Sequence, residues 1–228
     1  MVDFDITAVI PARKGSSRIE NKVFQEIAAQ ETLLGRKIKQ LRELLPRERV
    51  VVNTESDEIA NLAEKIGATV HYRDPYFAEG HLATFSELIV HVVGNINSEH
   101  IAWTPFVVPF FDAEQFSASF ESYEKEVIKG SYDSLVSVVP FKEFLWDING
   151  PLNYSATKDH TISQDLPAWY KVSNGNYMAP KEKILEWKYL LGEQVFLDER
   201  EPYCGIDIDT LHDMNLARAY EKVVRGML

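Results

Sequence analysis

Four basic side chains lie within ten residues of one another near the start of the chain, directly after a short apolar run. The stretch reads AVIPARKGSSRIENK. Main-chain N–H groups around Gly15 and Ser16 could surround phosphate oxygens, and the guanidinium groups of Arg13 and Arg18 could bind them bidentately. Lys22 would add a point charge. The stretch matches neither GxxxxGK[ST] nor GxGxxG, so it predicts either a polyphosphate site or a plain solvated loop.

Two aspartates alternate with isoleucines in the segment GIDIDT, just before the last predicted helix. In an extended segment Asp207 and Asp209 share one side, about 7 Å apart at Cα, while Ile206 and Ile208 face the core. Two such carboxylates suit Mg²⁺, which binds one or two carboxylates together with water and substrate phosphates. The alternative is that Asp209 or Thr210 caps the following helix.

A third candidate segment is SQDLPAWYKVSNGNYM, from Ser163 to Met178. Asn174-Gly175 predicts a tight turn. Lys171 is an isolated cation beside aromatic residues, where it could neutralise an acidic substrate or simply lie at the surface. The six histidines show no metal-ligand spacing, and a serine nucleophile pattern such as GxSxG is missing.

Apolar runs alternate with helical patterns along most of the chain, which predicts a parallel α/β sheet with right-handed crossovers. Ligands of such sheets bind beyond the carboxyl ends of the strands, where the basic loop and the residues after Trp103 would lie. The predicted strands are Ile6–Pro11, Val50–Asn53, Ala68–Tyr72, His100–Thr104, Asp133–Val139 and Val195–Phe196. The predicted helices are Leu33–Leu45, the stretch between Ser56 and Gly67, Thr84–Val93, Asp112–Val127, Lys181–Leu191 and Thr210–Val224.

The alternation breaks between Phe141 and Tyr170, a stretch rich in aromatic and turn residues. We interpret it as an antiparallel excursion from the main sheet. Exposed aromatics there would form a partner surface, and the alternative is that they pack back on the core.

The overall composition limits the class of protein. A chain of 228 residues with 45% hydrophobic content can bury one sizeable core. Its net charge of -11 argues against a nucleic-acid coat and against an anionic membrane surface. The single cysteine, Cys204, excludes an internal disulfide framework. With neither a signal-peptide pattern nor an apolar run of membrane-spanning length, the expectation is a soluble cytoplasmic protein.

Taken together, these segments resemble the acylneuraminate cytidylyltransferase family, the CMP-sialic acid synthetases and their relatives acting on other 3-deoxy sugar acids. VIPARKGSSRIENK is similar to the family's opening signature, IPARGGSKRIPGKN. GIDIDTLHDMNLARAY is similar to its closing IDIDTPEDFELAE, and QDLPAWYKVSNGNYM to its QDLPPVYRENGAIYI run. The resemblance covers nearly the whole chain. It implies a single Rossmann-like, three-layer nucleotidyltransferase domain with a mainly parallel sheet, in which residues 141–172 form a small antiparallel dimerisation subregion.

The activity implied by the resemblance is transfer of CMP from CTP to the anomeric hydroxyl of a sugar acid, with release of pyrophosphate. Arg13, Lys22 and Asp209 would be catalytic, and Asp207 and Asp209 would hold Mg²⁺. The nucleotide would contact Ala12, Arg13, Gly15, Ser16, Arg18, Lys22, Ala83, Thr84 and Thr104. The sugar acid would contact Gln164, Lys171, Asn174 and Tyr177. A homodimer is implied, with no nucleic-acid or membrane partner.

This chain departs from the family pattern around the predicted pockets. The family's QPTSPLR stretch becomes TPFVVPFF, in which Thr104 is the nearest polar residue that remains. LAxDTAST becomes AEGHLATFS, which loses the aspartate and keeps Ala83 and Thr84. Lys171 replaces an arginine and gives up a bidentate fork for a point charge. We interpret these changes as a shifted substrate or a weakened relative.

Two other functions fit parts of the sequence. A glycosyltransferase would use Asp207-Ile208-Asp209 as a sugar-nucleotide DxD, although that motif normally lies in the middle of a chain. A non-catalytic nucleotide-binding relative would explain the lost polar residues after Trp103.

Overall fold

The computed structural model describes residues 2–15, 18–78 and 82–226 of the chain. Over these residues it has six α-helices and eleven β-strands. The strands are β1 (Ile6–Pro11), β2 (Glu26–Ala28), β3 (Glu31–Thr32), β4 (Val50–Thr54), β5 (Thr69–Tyr72), β6 (His100–Trp103), β7 (Ser134–Phe141), β8 (Trp146–Asp147), β9 (Gly150–Pro151), β10 (Trp169–Pro180) and β11 (Val195–Glu199). The helices are α1 (Leu33–Arg42), α2 (Asp57–Ile66), α3 (Phe85–Gly94), α4 (Ala113–Tyr123), α5 (Lys181–Trp187) and α6 (Leu211–Gly226).

Seven of the described strands form the central sheet, in the order β11-β7-β10-β6-β1-β4-β5. β1 pairs in parallel with both β4 and β6, β4 pairs in parallel with β5, and β7 pairs in parallel with β11. β10 is antiparallel to both of its neighbours, β6 and β7. The sheet is therefore mainly parallel, which confirms the prediction, and β10 is the one strand of this sheet that the sequence analysis did not predict.

Successive residues of the inner strands face opposite sides of the sheet, as the two-residue period of a strand requires. In β1, Ala8 and Ile10 pack into one core with residues of α1, α2, α4 and α6. Val9, between them, packs into a second core with residues of α3 and α5. Helices thus cover both faces of a buried sheet, which confirms the expected three-layer α/β architecture.

The helix ends follow local signals in the sequence. Thr32 caps α1 by accepting from the Gly35 N–H, and Thr84 with Glu87 forms a capping box at α3. Gly67 ends α2 with φ 109°, a conformation that favours glycine. α5 is shorter than predicted because Lys188 adopts a left-handed conformation with φ 56°. No described helix is both long and apolar enough to cross a bilayer.

The tight turn predicted at Asn174-Gly175 is wrong. Both residues lie inside β10, at a bulge where the register with β7 shifts between Val172 and Tyr177. Asn174 takes φ 57° there. Glycine is required at 175 because a Cβ would lie 2.3 Å from the ring of Phe111. The Asn-Gly pair therefore bends a long strand instead of ending it.

Residues 141–172 contain the short β8–β9 pair, a 3₁₀ turn and the start of β10. The aromatic residues cluster locally, since Tyr154 contacts both Phe144 and His160. Large apolar side chains also remain exposed in this segment. They are Phe144, Trp146, Ile148, Leu152, Ile162, Trp169, Tyr170 and Val172. This segment carries the exposed aromatics that the sequence predicted, and we call it the 141–172 face.

Candidate active site

A cavity of about 550 Å³ opens at the carboxyl edge of the parallel strands. The loop after β1 and the segment before α6 both line it, so residues far apart in the sequence meet there. Its charged wall holds Arg13, Arg18, Lys22, Arg73, Asp207 and Asp209. This is the position where α/β sheets bind ligands.

Hydrogen bonds to β4, to the residue after it and to a more distant turn hold the loop after β1. The Ala12 N–H donates to Asn53, and the Lys14 N–H donates to the Glu55 carboxylate at 2.7 Å. Arg13 donates to the Ala78 carbonyl at 3.1 Å. Gly15 lines the cavity, and no described atom beyond its chain neighbours lies within 4 Å of the place where a Cβ would be. The predicted residue Ser16 lies outside the described residues.

Lys22 is the buried cation of this loop. It is only 7% exposed, and its Nζ donates to the Ile208 carbonyl at 2.8 Å. The same Nζ lies 3.5 Å from Asp209 Oδ1, and Arg18 Nη2 lies 2.8 Å from that oxygen. Asp209 thus sits between two cations that come from the start of the chain.

Helix capping does not use the Asp209 carboxylate. Thr210 Oγ1 accepts from the Asp213 N–H, and Asp213 accepts from the N–H groups of Asp209 and Thr210. Ile208 is buried, and its N–H donates to the Val107 carbonyl at 2.9 Å. Of the two alternatives, Thr210 is therefore the capping residue, and Asp209 keeps its carboxylate at the cavity.

Asp207 carries an oxygen that the protein leaves unpaired. Its Oδ2 accepts from the Asn174 amide at 2.7 Å, whereas its Oδ1 is buried and has no hydrogen-bond partner among the described residues. Burial raises the pKa of Asp207, the hydrogen bond from Asn174 opposes that rise, and the charge of Asp209 adds to it. An unpaired buried carboxylate oxygen is costly unless a ligand or cation completes it.

The donor set fits a magnesium ion. Two carboxylates meet at a cavity wall beside cations that suit phosphate, and Mg²⁺ typically takes one or two carboxylates and fills its remaining positions with phosphate oxygens and water. The described residues contain no group of three or more His, Cys, Asp or Glu side chains arranged for a metal.

The bulge in β10 places two of the predicted substrate residues on the cavity wall, Asn174 and Tyr177. The Tyr177 hydroxyl donates to Asn174 Oδ1, which orients the Asn174 amide toward Asp207. Lys171 donates to the Gly205 carbonyl at 3.1 Å, beside the aspartate segment but not on the cavity wall. Gln164 is exposed on the 3₁₀ turn Ser163–Asp165, away from this wall.

Four predicted nucleotide residues do not line this cavity within the described part of the chain. Ala12 and Thr104 are fully buried, and the Thr104 hydroxyl donates to the Val9 carbonyl. Ala83 is half-buried before α3, and the Thr84 side chain is occupied in the capping box. A contact between the nucleotide and any of these four residues stays a prediction.

The apolar wall of the cavity was not predicted. Phe85 contacts both Trp103 and Tyr189 edge-on, with ring centroids 6.4 and 6.1 Å apart. Phe106 and Leu190 also belong to this wall. These residues come from three separate segments of the chain, so only the position of Trp103 at a strand end indicated this wall in the sequence.

Arg73 was also missed. It follows the carboxyl end of β5, and the tendency of ligands to bind beyond the carboxyl ends of parallel strands could have indicated it. It is 5% exposed, and its Nε donates to Glu55 at 3.2 Å. Burial lowers the pKa of Arg73, and the charge of Glu55 opposes that shift.

This chain is similar to several known proteins. A family model described as cytidylyltransferase matches residues 7–161. A 3-deoxy-manno-octulosonate cytidylyltransferase of Rickettsia bellii is 30% identical over 135 residues, which are 59% of this chain and 52% of that protein. The match therefore spans about half the length of that relative. A CMP-N,N'-diacetyllegionaminic acid synthase of Legionella pneumophila is 35% identical over 229 residues, covering 92% of this chain and 94% of that protein.

A solved structure shares the fold. It is a CMP:2-keto-3-deoxy-manno-octonic acid synthetase complexed with CTP, with a TM-score of 0.67 and 11% identity. The superposition covers 98% of this chain and 99% of that one. Because the family model matches more than half of this chain, the chain belongs to the cytidylyltransferase family.

Proposed function

We propose that the protein transfers CMP from CTP to the anomeric hydroxyl of a 3-deoxy sugar acid and releases pyrophosphate. One observation carries this proposal: Arg18 and Lys22 of the first loop meet Asp209 in one cavity. A triphosphate needs such cations, and a metal that accompanies it needs such carboxylates. The names of the relatives, which act on octulosonate and legionaminate acids, support the acceptor class.

The chemistry is a displacement at the α-phosphorus of CTP. The hydroxyl oxygen of the acceptor forms a bond to that phosphorus, and the bond to the oxygen bridging the α- and β-phosphates breaks. Pyrophosphate leaves with the bridging oxygen, and the hydroxyl proton is released to solvent. The work of the protein is to position the two substrates and to neutralise charge.

The basic loop would receive the pyrophosphate portion. Arg13 and Arg18 are exposed at the cavity mouth, and Lys22 lies buried beneath them. Their positive charges would stabilise the charge that accumulates on the leaving group. Asp207 and Asp209 would hold Mg²⁺, which when bound reduces the cost of charge on the phosphoryl oxygens.

The acceptor would lie against Asn174 and Tyr177, with Lys171 as the nearby cation for its carboxylate. The aromatic wall around Phe85 and Trp103 favours an acceptor or base with a flat or apolar face. Fewer polar groups line this side than the basic loop side.

Pyrophosphate release tests the proposal. The protein is mixed with CTP and Mg²⁺ and a panel of 3-deoxy-octulosonate, sialate and legionaminate acids. Release with at least one acid, and with CTP in preference to ATP and UTP, is the expected result. CTP binding without release from any acid would favour the non-catalytic relative, and hydrolysis of a UDP-sugar would favour the glycosyltransferase.

We also propose that two copies associate through the 141–172 face. Ile148 is 98% exposed and Trp146 is 61% exposed, and they lie within one short stretch that also presents Leu152. Exposed apolar groups at this density typically mark an interface. β10 begins in this face and runs to the cavity, so the interface would adjoin the acceptor side of the site.

A further inference from the structure

The loop between β6 and α4 is held by donors from outside itself. Carbonyls of five successive residues each accept one hydrogen bond from a group beyond the loop. They are Val107 from the Ile208 N–H (2.9 Å), Val108 from Lys37 (3.0 Å), Pro109 from Gln40 (2.8 Å), Phe110 from Cys204 (3.9 Å to sulfur) and Phe111 from Lys37 (3.1 Å). A buried loop must satisfy its backbone in this way. Lys37 supplies two of the five bonds.

Lys37 is fully buried on α1 and forms no ion pair with a carboxylate among the described residues. Its Nζ lies 4.7 Å from the ring centre of Phe116 and 5.9 Å from that of Phe111. The charged and titratable groups around it are Arg36 on the same helix, Asp112 at the start of α4, and Cys204. A lysine without a carboxylate partner is rarely buried, so this one needs a specific reason.

The loop that Lys37 holds is one wall of the cavity. Pro105, Phe106 and Val107 line that cavity. The Val107 carbonyl also accepts from Ile208, which lies between Asp207 and Asp209. A shift of the loop would therefore move both the apolar wall and the main chain that carries the two aspartates.

We propose that Lys37 is a positioning residue for the cavity: its two hydrogen bonds fix the 105–111 loop and, through Val107 and Ile208, the aspartate segment. Its kinetic consequence rests on the proposed function. Lys37 touches no lining residue of the charged wall directly, and it acts through the loop carbonyls alone.

The protonation state of Lys37 sets the strength of this hold. Burial lowers the pKa of Lys37 to about 7, against a smaller opposing effect of the Asp112 charge. The ammonium donates charge-assisted hydrogen bonds and contacts the Phe116 ring as a cation. Burial outweighs these contacts, as the lowered pKa shows. Opening of the loop to solvent would restore the ordinary pKa of Lys37, so above pH 7 the open loop binds a proton that the closed loop does not, and the loop opens less readily as the pH rises.

The experiment compares Lys37→Met with Lys39→Met, an exposed lysine of the same helix. Amide exchange of Ile208, whose N–H donates to Val107, reports the loop without any substrate. We expect at least ten-fold faster exchange at Ile208 in Lys37→Met, with Val52 in the central sheet unchanged and Lys39→Met like the unaltered protein. In the unaltered protein, Ile208 protection, corrected for intrinsic exchange, should increase as the pH rises through 7, and Lys37→Met should lack that step.

Kinetics separate positioning from a loss of folded protein. We expect the KM for CTP to rise about ten-fold in Lys37→Met while kcat changes less than three-fold. Destabilisation alone would reduce the active fraction, and therefore kcat, at constant KM. Unchanged Ile208 exchange, or a pH step that persists without Lys37, would overturn the proposal.

Two further measurements keep the result unambiguous. If the unaltered protein releases no pyrophosphate with any acid, the proposed function fails. The Ile208 exchange data still test the positioning role of Lys37, because they need no substrate. If Lys37→Met does not fold, two other measurements test the proposal. One is the pH step in Ile208 exchange in the unaltered protein, and the other is Ile208 exchange in Gln40→Met, which lacks the hydrogen bond to Pro109. Faster Ile208 exchange in Gln40→Met and the pH step support the hold, and their absence rejects it.

Discussion

Arg18 and Asp209 form an ion pair, with Nη2 2.8 Å from Oδ1, although 191 positions separate them in the chain (209 − 18). Both side chains are partly exposed at the cavity, so the pair itself contributes little to stability. Its importance is geometric, since it places the cationic loop against the carboxylates.

Asp209→Asn should abolish metal-dependent turnover. The amide removes one negative charge from the proposed magnesium site, and we expect at least a 100-fold loss of kcat, which corresponds to about 3 kcal/mol. The carboxylate is 44% exposed, so the free energy of unfolding should change by less than about 1 kcal/mol. Pyrophosphate release and urea unfolding measure both effects, with exposed Glu48→Gln as the control. Full activity in Asp209→Asn would remove the metal assignment.

Asn174→Ala should weaken catalysis through Asp207. The amide holds Asp207 Oδ2 at 2.7 Å, and loss of a partner that orients a metal ligand typically costs 10–100-fold. We expect kcat/KM to fall at least ten-fold, a loss of about 1.4 kcal/mol. The control is Asn149→Ala, because the Asn149 amide also donates to an aspartate, Asp147, but both residues belong to the 141–172 face and neither lines the cavity. Equal effects from the two variants would contradict the assigned role.

Trp146→Ser combined with Ile148→Ser should shift the protein from dimer to monomer. These side chains are 61% and 98% exposed, so their loss should not affect folding, whereas burial of both in a partner would stabilise association by several kcal/mol, at about 25 cal/mol per Å². Light scattering across a concentration series measures the mass. Leu216→Ser, an exposed apolar residue of α6, is the control. A monomeric unaltered protein would end this proposal.

The pH dependence of stability should change in Lys37→Met. The pKa of Lys37 is lowered to about 7 in the folded state and keeps its ordinary value near 10.5 in the unfolded state. Between those values the unfolded chain binds more protons, so this lysine makes stability rise with pH, by at most about 1.4 kcal/mol per pH unit.

Below pH 7 both states are protonated, and the full cost of burying the charge remains. The stability of Lys37→Met relative to the unaltered protein should therefore be greatest near pH 6 and should decline by about 1 kcal/mol or more by pH 9. Urea unfolding at both pH values measures the difference. Lys39→Met should show no such trend, and a constant difference for Lys37→Met would contradict the shifted pKa.

Local patterns in the sequence predict most of the sheet and its edge. Buried runs such as Val50–Val52 are apolar on both faces of the sheet, so their composition predicts a strand of a buried parallel sheet. Thr32 and Gly67 mark helix ends through backbone chemistry that depends only on neighbours. Because ligands of parallel sheets bind beyond the carboxyl ends of the strands, the same patterns also predict that the basic loop lies at the ligand site.

Features set by distant contacts could not be predicted. Asn174-Gly175 has the composition of a hairpin turn, but Asp207 and Tyr177 hold Asn174 inside a strand. Lys37 looks like an ordinary surface lysine in a helical pattern, and only the carbonyls of a loop about 70 residues later explain its burial. Tertiary contacts override local preference at both places.

The bulge in β10 has a consequence for how this chain can vary. Side chains of a strand alternate between faces, so removing one residue near Asn174 would exchange the two faces on one side of the deletion. Trp169 and Tyr170 at the exposed end would then no longer keep their present orientation relative to Tyr177 at the cavity. A replacement that keeps the length of this strand preserves this relationship between its two ends, except at Gly175, where only glycine fits. A change in the length of the strand alters how the outer surface is oriented relative to the interior pocket.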